Sequence, residues 1–245
     1  MHTHIGDWTL LEQVSAWEIA LDTHTQQRLE RYLAFLYEAN QRVNLTRVPA
    51  EQAVGRHLVD SLCLLAVYTP SEGARVLDIG TGAGLPGVPL AIVRPDLRLT
   101  LLDSHGKTVQ FLQEVCAVLE LNATVVQARA EEWAHNPDAR EQFDLAVARA
   151  VAKMPILTEL MTPFLKVGGV GLALKSTGEA DEILGAAPAA RTLGATLELR
   201  MVSFETEQGT VSRAIGLLRK ERPTPKSYPR AWKQILSRQI GRAHV

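Results

Sequence analysis

The spacing of apolar residues changes near residue 75 of this 245-residue chain. Before that point apolar residues recur every three or four positions, which predicts three helices. The first lies around 8–19, the second begins after a cap at Thr23 or Thr25, and the third covers 50–67. Beyond it, short apolar runs alternate with helical stretches, a pattern that predicts a parallel sheet covered by helices on both faces. The predicted strands are 76–79, 97–102, 124–126, 145–148 and 170–174, and the predicted helices between them are 87–93, 107–119, 130–135 and 155–165.

The last part of the chain departs from this alternation. A further helix is predicted near residues 182–192. The apolar runs 196–204 and 211–218 flank Gly209, which predicts a closing antiparallel hairpin. The sequence therefore predicts an α/β fold whose mostly parallel sheet ends in an antiparallel pair.

Three parts are expected along the chain: a helical extension at 1–70, the α/β domain at 71–220 and a basic tail at 221–245. From residue 219 onward there are eight lysines and arginines but one acid, Glu221, although the net charge of the chain is −1. Such a segment predicts either contact with a polyanion or a solvated end.

The composition is that of an ordinary globular protein, with 46% hydrophobic and 22% charged residues. The two cysteines, Cys63 and Cys116, lie far apart without metal-ligand spacing, which suits a reducing compartment. No secretory signal or membrane span is expected, since no apolar run is long enough. We therefore expect a cytoplasmic monomer without a metal or a membrane partner.

A glycine-rich loop joins the first predicted strand of the α/β region to its first helix. It reads Val-Leu-Asp-Ile-Gly-Thr-Gly-Ala-Gly-Leu-Pro-Gly over residues 76–87. Gly80, Gly82 and Gly84 would let the backbone approach a ligand beyond the carboxyl ends of the strands. The spacing fits a dinucleotide or S-adenosylmethionine (SAM). Asp78 favours SAM, because its carboxylate would oppose a pyrophosphate at the helix N-terminus but suits the sulfonium and ammonium groups of SAM.

Two further positions indicate an adenosine site. Asp103 ends the second predicted strand, and a carboxylate there can accept hydrogen bonds from both ribose hydroxyls of NAD or of SAM. Ala130 and Glu131 follow the third predicted strand, where the adenine ring would lie. The alternative for Glu131 is an ordinary acid at the start of a helix.

The fourth predicted strand ends at Arg149 and lacks the Asn/Asp-Pro-Pro-aromatic segment that is typical of methyltransferases acting on exocyclic amines. An acceptor that needs no such segment is a ring nitrogen with a free lone pair, such as N7 of guanine, for which alignment supplies much of the rate. Arg149 is predicted to bond guanine O6 or the cofactor carboxylate. His57 and Asp60 share a helix face, which fits a metal pair or a catalytic dyad, although packing with one polar contact fits better.

Together these segments resemble the RsmG (GidB) family, bacterial SAM-dependent enzymes that methylate N7 of a guanine in 16S ribosomal RNA. The resemblance covers about residues 30–230. It is carried by Asn-Leu-Thr at 44–46, Arg-His-Leu-Val-Asp-Ser-Leu at 56–62, the loop at 78–87, Pro-Leu-Ala-Ile-Val-Arg-Pro at 89–95, Leu-Leu-Asp-Ser at 101–104 with Lys107, Arg-Ala at 149–150, Lys175, and Tyr-Pro-Arg at 228–230. The family implies a Rossmann-like class I methyltransferase fold, SAM as the cofactor, and 16S rRNA or the small ribosomal subunit as the partner.

The resemblance also implies roles for individual residues. Gly80 and Leu85 contact the cofactor, Asp103 with Ser104 and His105 holds the ribose, Ala130 and Glu131 lie at the adenine, and Arg149 closes the site as the catalytic residue beside the methyl group. Arg129, Lys175 and Arg213 are expected on the RNA side, where they and the basic tail would form one electropositive rim whose RNA binding weakens with salt. His105 departs from the small residue expected there, but a backbone contact would survive that change.

Other functions fit some of the same residues. A SAM enzyme with another RNA or a small-molecule acceptor would share the whole cofactor end. An NAD oxidoreductase would bind NADH in preference to SAM. A ribosome-assembly factor without catalysis would keep the fold alone, although intact cofactor positions count against it.

Overall fold

A computed structural model describes residues 5–240 of the chain, which form a seven-stranded sheet of order β3-β2-β1-β4-β5-β7-β6. The strands are β1 (Arg75–Ile79), β2 (Arg98–Asp103), β3 (Ala123–Gln127), β4 (Phe143–Arg149), β5 (Leu165–Ser176), β6 (Ala195–Thr206) and β7 (Gly209–Lys220). The first five strands pair in parallel, and β7 pairs antiparallel with both β5 and β6. The predicted α/β fold with a closing hairpin is confirmed.

Helices connect the parallel strands and place the carboxyl ends of these strands along one edge of the sheet. The α-helices of the described residues are α1 (Thr23–Asn40), α2 (Asp60–Leu62), α3 (Gly87–Val93), α4 (Gly106–Val118), α5 (Ala130–Trp133), α6 (Met154–Met161), α7 (Ala180–Gly185), α8 (Ala187–Leu193) and α9 (Trp232–Ser237). Helix α1 begins at Thr23 because the Asp22 carboxylate accepts a hydrogen bond from Thr25 N at 2.7 Å.

Prolines change the extent of two predicted helices. The helix predicted over 155–165 ends at Met161, and a 3-10 turn leads into β5, because Pro163 has no N–H to continue the helix. The helix predicted near 182–192 is divided into α7 and α8, and Pro188 lies in the first turn of α8. Proline thus ends one element and begins another in this half of the sheet.

The residues before β1 pack against the sheet and share its core. Leu29 and Leu36 of α1 belong to one continuous apolar cluster with Val76 of β1 and Leu101 of β2. The predicted helix over 50–67 is a succession of 3-10, π and α turns. The division at residue 70 stays a prediction, since no boundary in the core marks it.

The described part of the basic tail also folds back onto the domain. Arg230 forms an ion pair with Glu159, at 2.7 Å, and the Glu159 side chain is 1% exposed. Just before the tail, at the end of β7, Lys220 is 2% exposed and pairs with Glu141 at 3.0 Å. Arg242 lies outside the described residues. Part of the predicted positive charge is therefore neutralised inside the fold.

No helix in residues 5–240 combines the length and the apolar character needed to span a bilayer. Over the same residues, no three His, Cys, Asp or Glu side chains are grouped as ligands for a metal ion.

Candidate functional site

The glycine loop lies between β1 and α3, at the carboxyl edge of the parallel strands. Gly80, Gly82 and Gly84 have φ angles of +62°, +55° and +90°, a left-handed conformation that is strained for residues with a Cβ. Leu102 O at the end of β2 accepts a hydrogen bond from Gly80 N at 2.8 Å. The loop is thereby fixed against the neighbouring strand.

Two buried side chains hold this loop from behind. The Tyr32 hydroxyl on α1 donates to Ala83 O at 2.7 Å. Asp78 Oδ2 accepts hydrogen bonds from Thr81 Oγ1 at 2.6 Å and from Gly87 N at 2.8 Å. Burial raises the pKa of Asp78 to about 7, against the opposing effect of these two hydrogen bonds. The interior of the fold thus sets the shape of the loop.

Asp78 lies behind the loop and is fully buried. Its Oδ1 atom is buried without a hydrogen-bond partner among the described residues. One carboxylate oxygen therefore remains for a donor that the protein itself does not provide. Direct contact between Asp78 and the cationic groups of SAM stays a prediction, whereas its bonds to the loop are visible.

Asp103 stands at the end of β2 and faces the loop. Its Oδ2 accepts a hydrogen bond from Gly82 N at 3.0 Å, and its Oδ1 accepts one from His105 N at 2.9 Å. The residue is 8% exposed. His105 Nδ1 also lies 3.1 Å from Oδ1, so the further lone pair is on Oδ2, where the group can still accept a hydrogen bond from a ligand hydroxyl.

A cavity of about 280 Å³, here called the cofactor cavity, opens beside Asp103. Its wall is formed by Ile79, Gly80, Leu102, Asp103, Ser104, His105, Ala128, Arg129, Ala130, Glu131, Ala150, Val151, Leu160 and Trp232. A carboxylate beside an aliphatic and aromatic wall matches adenosine, whose ribose needs acceptors and whose flat base needs apolar contact. The residues present therefore fit SAM.

The cofactor cavity brings together six of the predicted cofactor residues: Gly80, Asp103, Ser104, His105, Ala130 and Glu131. Gly82 reaches it through its hydrogen bond to Asp103. Gly84 packs near Val88, and Leu85 is 4% exposed, so these two support the loop from inside. Their predicted contact with the cofactor stays a prediction.

A second cavity of about 540 Å³, here called the arginine cavity, adjoins the first, and Ala150 and Val151 line both. Arg149 lies in this second cavity, one residue before Ala150, whose φ of +56° is unusual for a residue with a side chain. Arg213 from β7 lies in the same cavity. Arg149 is thus adjacent to the cofactor cavity, and its predicted contact with the cofactor stays a prediction.

The carboxylate of Asp60 holds the two arginines of this cavity. Arg149 donates to Asp60 Oδ2 at 3.0 Å, and Arg213 Nε donates to Asp60 Oδ1 at 2.6 Å. Arg149 also donates to Arg56 O at 3.0 Å. Asp60 is 3% exposed. The expectation of one polar contact on this helix face is wrong, because strands β4 and β7 each deliver a guanidinium to the same carboxylate.

His57 completes this cluster as a neutral ring. Burial, and then the charge of Arg149, lower its pKa to about 3. Arg149 can only donate, and it lies 3.5 Å from Nδ1, so Nε2 carries the proton and donates to Thr46 Oγ1 at 3.0 Å. At neutral pH the ring therefore orients Arg149 and holds no extra proton.

The two remaining residues predicted to face RNA have different surroundings. Lys175 is 7% exposed, and its ammonium donates to Ala152 O at 2.6 Å, Glu179 Oε1 at 2.9 Å and Glu182 Oε1 at 3.3 Å. All three of its donors are used within the protein, but Lys175 lines the arginine cavity together with Arg213, so its predicted contact with RNA stays a prediction. Arg129 is 44% exposed in its side chain and pairs with Glu131 at the cofactor cavity. Lys175 and Arg213 thus line the arginine cavity and Arg129 the adjoining cofactor cavity, and the single electropositive rim stays a prediction.

Comparison with known proteins decides the family. The family model for rRNA small subunit methyltransferase G matches residues 25–212. The chain belongs to this methyltransferase family. A relative of that name from Lachnoclostridium phytofermentans is 40% identical over 225 residues, covering 91% of this chain and 93% of the relative. Another from Roseiflexus castenholzii is 42% identical and covers 91% and 94%.

Members of this family use SAM, so the cofactor inferred from the loop and from Asp103 is confirmed. A solved Klebsiella pneumoniae protein classed as an O-methyltransferase has a TM-score of 0.57 at 17% identity, covering 87% of this chain and 96% of that one. This likeness shows the fold alone. The fold and the family predicted from the sequence are both confirmed.

Proposed function

We propose that this protein transfers the methyl group of SAM to N7 of a guanine in 16S ribosomal RNA. The observation that carries the proposal is the pair of adjoining cavities with Ala150 and Val151 in common. One cavity has the carboxylate and apolar wall that suit adenosine, and the other presents two oriented arginines. A methyl donor in the first would face an acceptor base in the second across this shared wall.

The arginine cavity suits an acceptor that needs alignment and no base. N7 of guanine already carries a free lone pair and has no proton to lose. His57 is neutral and engaged on both nitrogens, and the Asp60 carboxylate is held by two guanidinium groups. Arg149 and Arg213 offer N–H donors to guanine O6, the oxygen beside N7. Orientation of the base is then the main contribution of these side chains.

SAM, when bound, supplies a methyl group on a positively charged sulfur that leaves as a neutral thioether. Asp103 would hold the ribose hydroxyls, and Ala130 and Glu131 would lie at the adenine, within the wall described above. Gly80 would allow the loop backbone to approach the ligand. These assignments rest on the shape and chemistry of the cavity.

RNA would approach over the open side of the arginine cavity. Arg56 and Lys153 are exposed and line this cavity with Arg213. Arg129 lies exposed at the cofactor cavity and would contact the same RNA. Phosphate contacts by these cations would make binding weaken as salt rises. Since one chain lines both cavities, we also propose that the protein acts as a monomer. We further propose that it acts in the cytoplasm, where ribosomal subunits are found.

The test is methyl transfer from labelled SAM to small ribosomal subunits from cells that lack the protein, followed by nucleoside mass spectrometry. The expected product is labelled 7-methylguanosine in 16S rRNA. No label, with SAM binding confirmed in parallel, would overturn the acceptor and leave the cofactor assignment standing. Label in another nucleoside would overturn N7 as the acceptor atom.

The Asp103→Ala variant tests the ribose assignment through its affinity for SAM. Loss of hydrogen bonds to a charged group costs about 1.5–3 kcal/mol, so SAM should bind on the order of tenfold to a hundredfold more weakly. The matched variant Asp96→Ala removes a carboxylate that also accepts a backbone N–H, from Gly73, but lies on neither cavity wall. Unchanged SAM affinity in Asp103→Ala would refute the assignment.

A further inference from the structure

The C-terminal segment after β7 is tied to the domain at several points. Arg140 donates to Tyr228 O at 2.8 Å and to Thr224 O at 2.9 Å. His135 Nε2 lies 2.8 Å from Pro229 O. These contacts lead the chain past the end of α5 and towards the cofactor cavity. The residues matched by the family model end at 212, so this segment lies beyond them.

A buried ion pair and an apolar anchor then fix helix α9. The Glu159 carboxylate on α6 accepts hydrogen bonds from Arg230 N, Nε and the terminal guanidinium nitrogen, at 2.7–2.9 Å. Ile235 is fully buried in a small cluster with Ile156 and Leu160 of α6. Since Leu160 also lines the cofactor cavity, this anchor lies directly beside it.

Trp232, the first residue of α9, forms part of the cofactor-cavity wall. The Arg129 guanidinium carbon lies 5.1 Å from the centre of the indole ring. Arg129 in turn pairs with the buried carboxylate of Glu131, on the same wall. The indole is thus held between the α6 anchor and the start of α5, with Ala128 and Ala130 on the wall beside it.

We propose that Trp232 is a cofactor-binding residue whose indole forms the aromatic part of the wall for the adenine ring of SAM. The proposal rests on the proposed function only in using the same cofactor cavity. An aromatic ring offers a purine a large, flat contact surface, and the cation–π contact with Arg129 fixes the orientation of the indole. The C-terminal segment then belongs to the cofactor site and is more than a basic attachment for RNA.

The test is binding of S-adenosylhomocysteine, the demethylated form of SAM, to the full-length protein by isothermal titration calorimetry. Because replacing a base-stacking aromatic residue by alanine costs about 1–3 kcal/mol, Trp232→Ala should weaken binding about 5- to 100-fold. Trp232→Phe should keep most of the affinity. Adenosine alone should lose affinity by a similar factor in Trp232→Ala, since the proposed contact is with the base.

The matched control is Leu236→Ala, which truncates a 53% exposed apolar side chain on the same helix, away from the cofactor cavity. Its affinity for S-adenosylhomocysteine should equal that of the unchanged protein. A Trp232→Ala variant that melts normally and binds with unchanged affinity would overturn the proposal. Equal losses in both variants would also overturn it, because they would indicate a loosened helix.

The experiment needs no RNA and is separate from the test of the reaction. If ribosomal subunits receive no methyl group while Trp232→Ala still loses S-adenosylhomocysteine affinity, the proposed acceptor fails and the role of Trp232 stands. If subunits are methylated and Trp232→Ala binds S-adenosylhomocysteine normally, the proposed acceptor stands and the role of Trp232 fails.

Discussion

Asp60 is the residue on which the order of the arginine cavity depends. Its carboxylate is 4% exposed in the side chain and is shared by Arg149 and Arg213, which come from different strands. A buried carboxylate between two cations is costly to desolvate, and removing its charge leaves the cations facing each other. The same group therefore both stabilises the fold and spaces the two guanidinium groups.

The Asp60→Asn variant should unfold more easily by about 3 kcal/mol, because breaking a buried ion pair typically costs that much. Methyl transfer to rRNA should fall and its KM should rise, since both arginines lose their orientation. The affinity for S-adenosylhomocysteine should change by less than about twofold, which is the size of effect expected between sites that do not interact. Urea unfolding, steady-state kinetics and calorimetry measure the three effects.

Glu198→Gln is the matched control for Asp60→Asn. Glu198 also pairs with two arginines, Arg200 and Arg219, but its side chain is 36% exposed. Exposed pairs contribute about 0–1 kcal/mol, so this variant should keep both stability and activity. If Asp60→Asn kept full transfer activity, the arginines would not depend on Asp60 for their positions.

Residues of the cofactor site were accessible from the sequence, because they lie in one short loop and at strand ends. The position of Asp103 was predictable because strand periodicity places it at the end of the second strand. The partners of Asp60 were not accessible, since Arg149 and Arg213 are 89 and 153 positions away. Trp232 carried no signal in the sequence, because its place depends on how the chain returns to α6 after β7.

At the scale of elements, helix α1 and the glycine loop form one unit. The Tyr32 hydroxyl spans from α1 to Ala83 O inside the core, so a segment predicted as an extension supports the cofactor site. Removing the hydroxyl leaves Ala83 O buried without a donor, which costs about 1–3 kcal/mol. The loop should then be less well ordered before a ligand binds.

Tyr32→Phe should therefore lower both the free energy of unfolding and the affinity for S-adenosylhomocysteine, the latter by about twofold to tenfold when half of that cost falls on the loop. Tyr37→Phe is the control, because Tyr37 lies on the same helix and donates to Val48 O at 2.9 Å, away from the loop. Tyr37→Phe should lower stability alone. If Tyr32→Phe and Tyr37→Phe had equal affinities for S-adenosylhomocysteine, α1 would not support the cofactor site through the Tyr32 hydroxyl.

Element order was predictable because apolar periodicity distinguishes strands from helices, as β1 and α4 illustrate. The π turn at Val54–Val59 was not. Its apolar spacing reads as an ordinary helix, and the segment is held by a contact that the sequence does not indicate: Gly55 N donates to the Glu207 carboxylate of the β6–β7 turn, 152 positions away, at 3.1 Å.

At the scale of the whole molecule, the buried charge of Asp78 links folding to pH. Its pKa of about 7 in the folded chain lies above its ordinary value of 3.8, chiefly through burial. Between these two values the folded state holds a proton that the unfolded state has released. The contribution of Asp78 to stability is therefore fully present below about pH 4, is lost as pH rises through 7, and is constant above that.

Asp78→Asn removes this titration while keeping an oxygen that can accept from Thr81 and Gly87. The amide changes stability by an amount that does not depend on pH. The free energy of unfolding of the variant minus that of the unchanged protein should therefore rise by about 2–3 kcal/mol from pH 5 to pH 8. Urea unfolding at half-unit steps of pH measures the difference.

Asp144→Asn is the control. Partial burial of Asp144 is outweighed by the bonds from Lys166 and Arg75, which lower its pKa, so the difference in unfolding free energy for this variant should stay flat over this range. A flat difference for Asp78→Asn as well would mean that Asp78 is already ionised at pH 5 in the folded protein, and that its Oδ1 has a partner such as water or a cation.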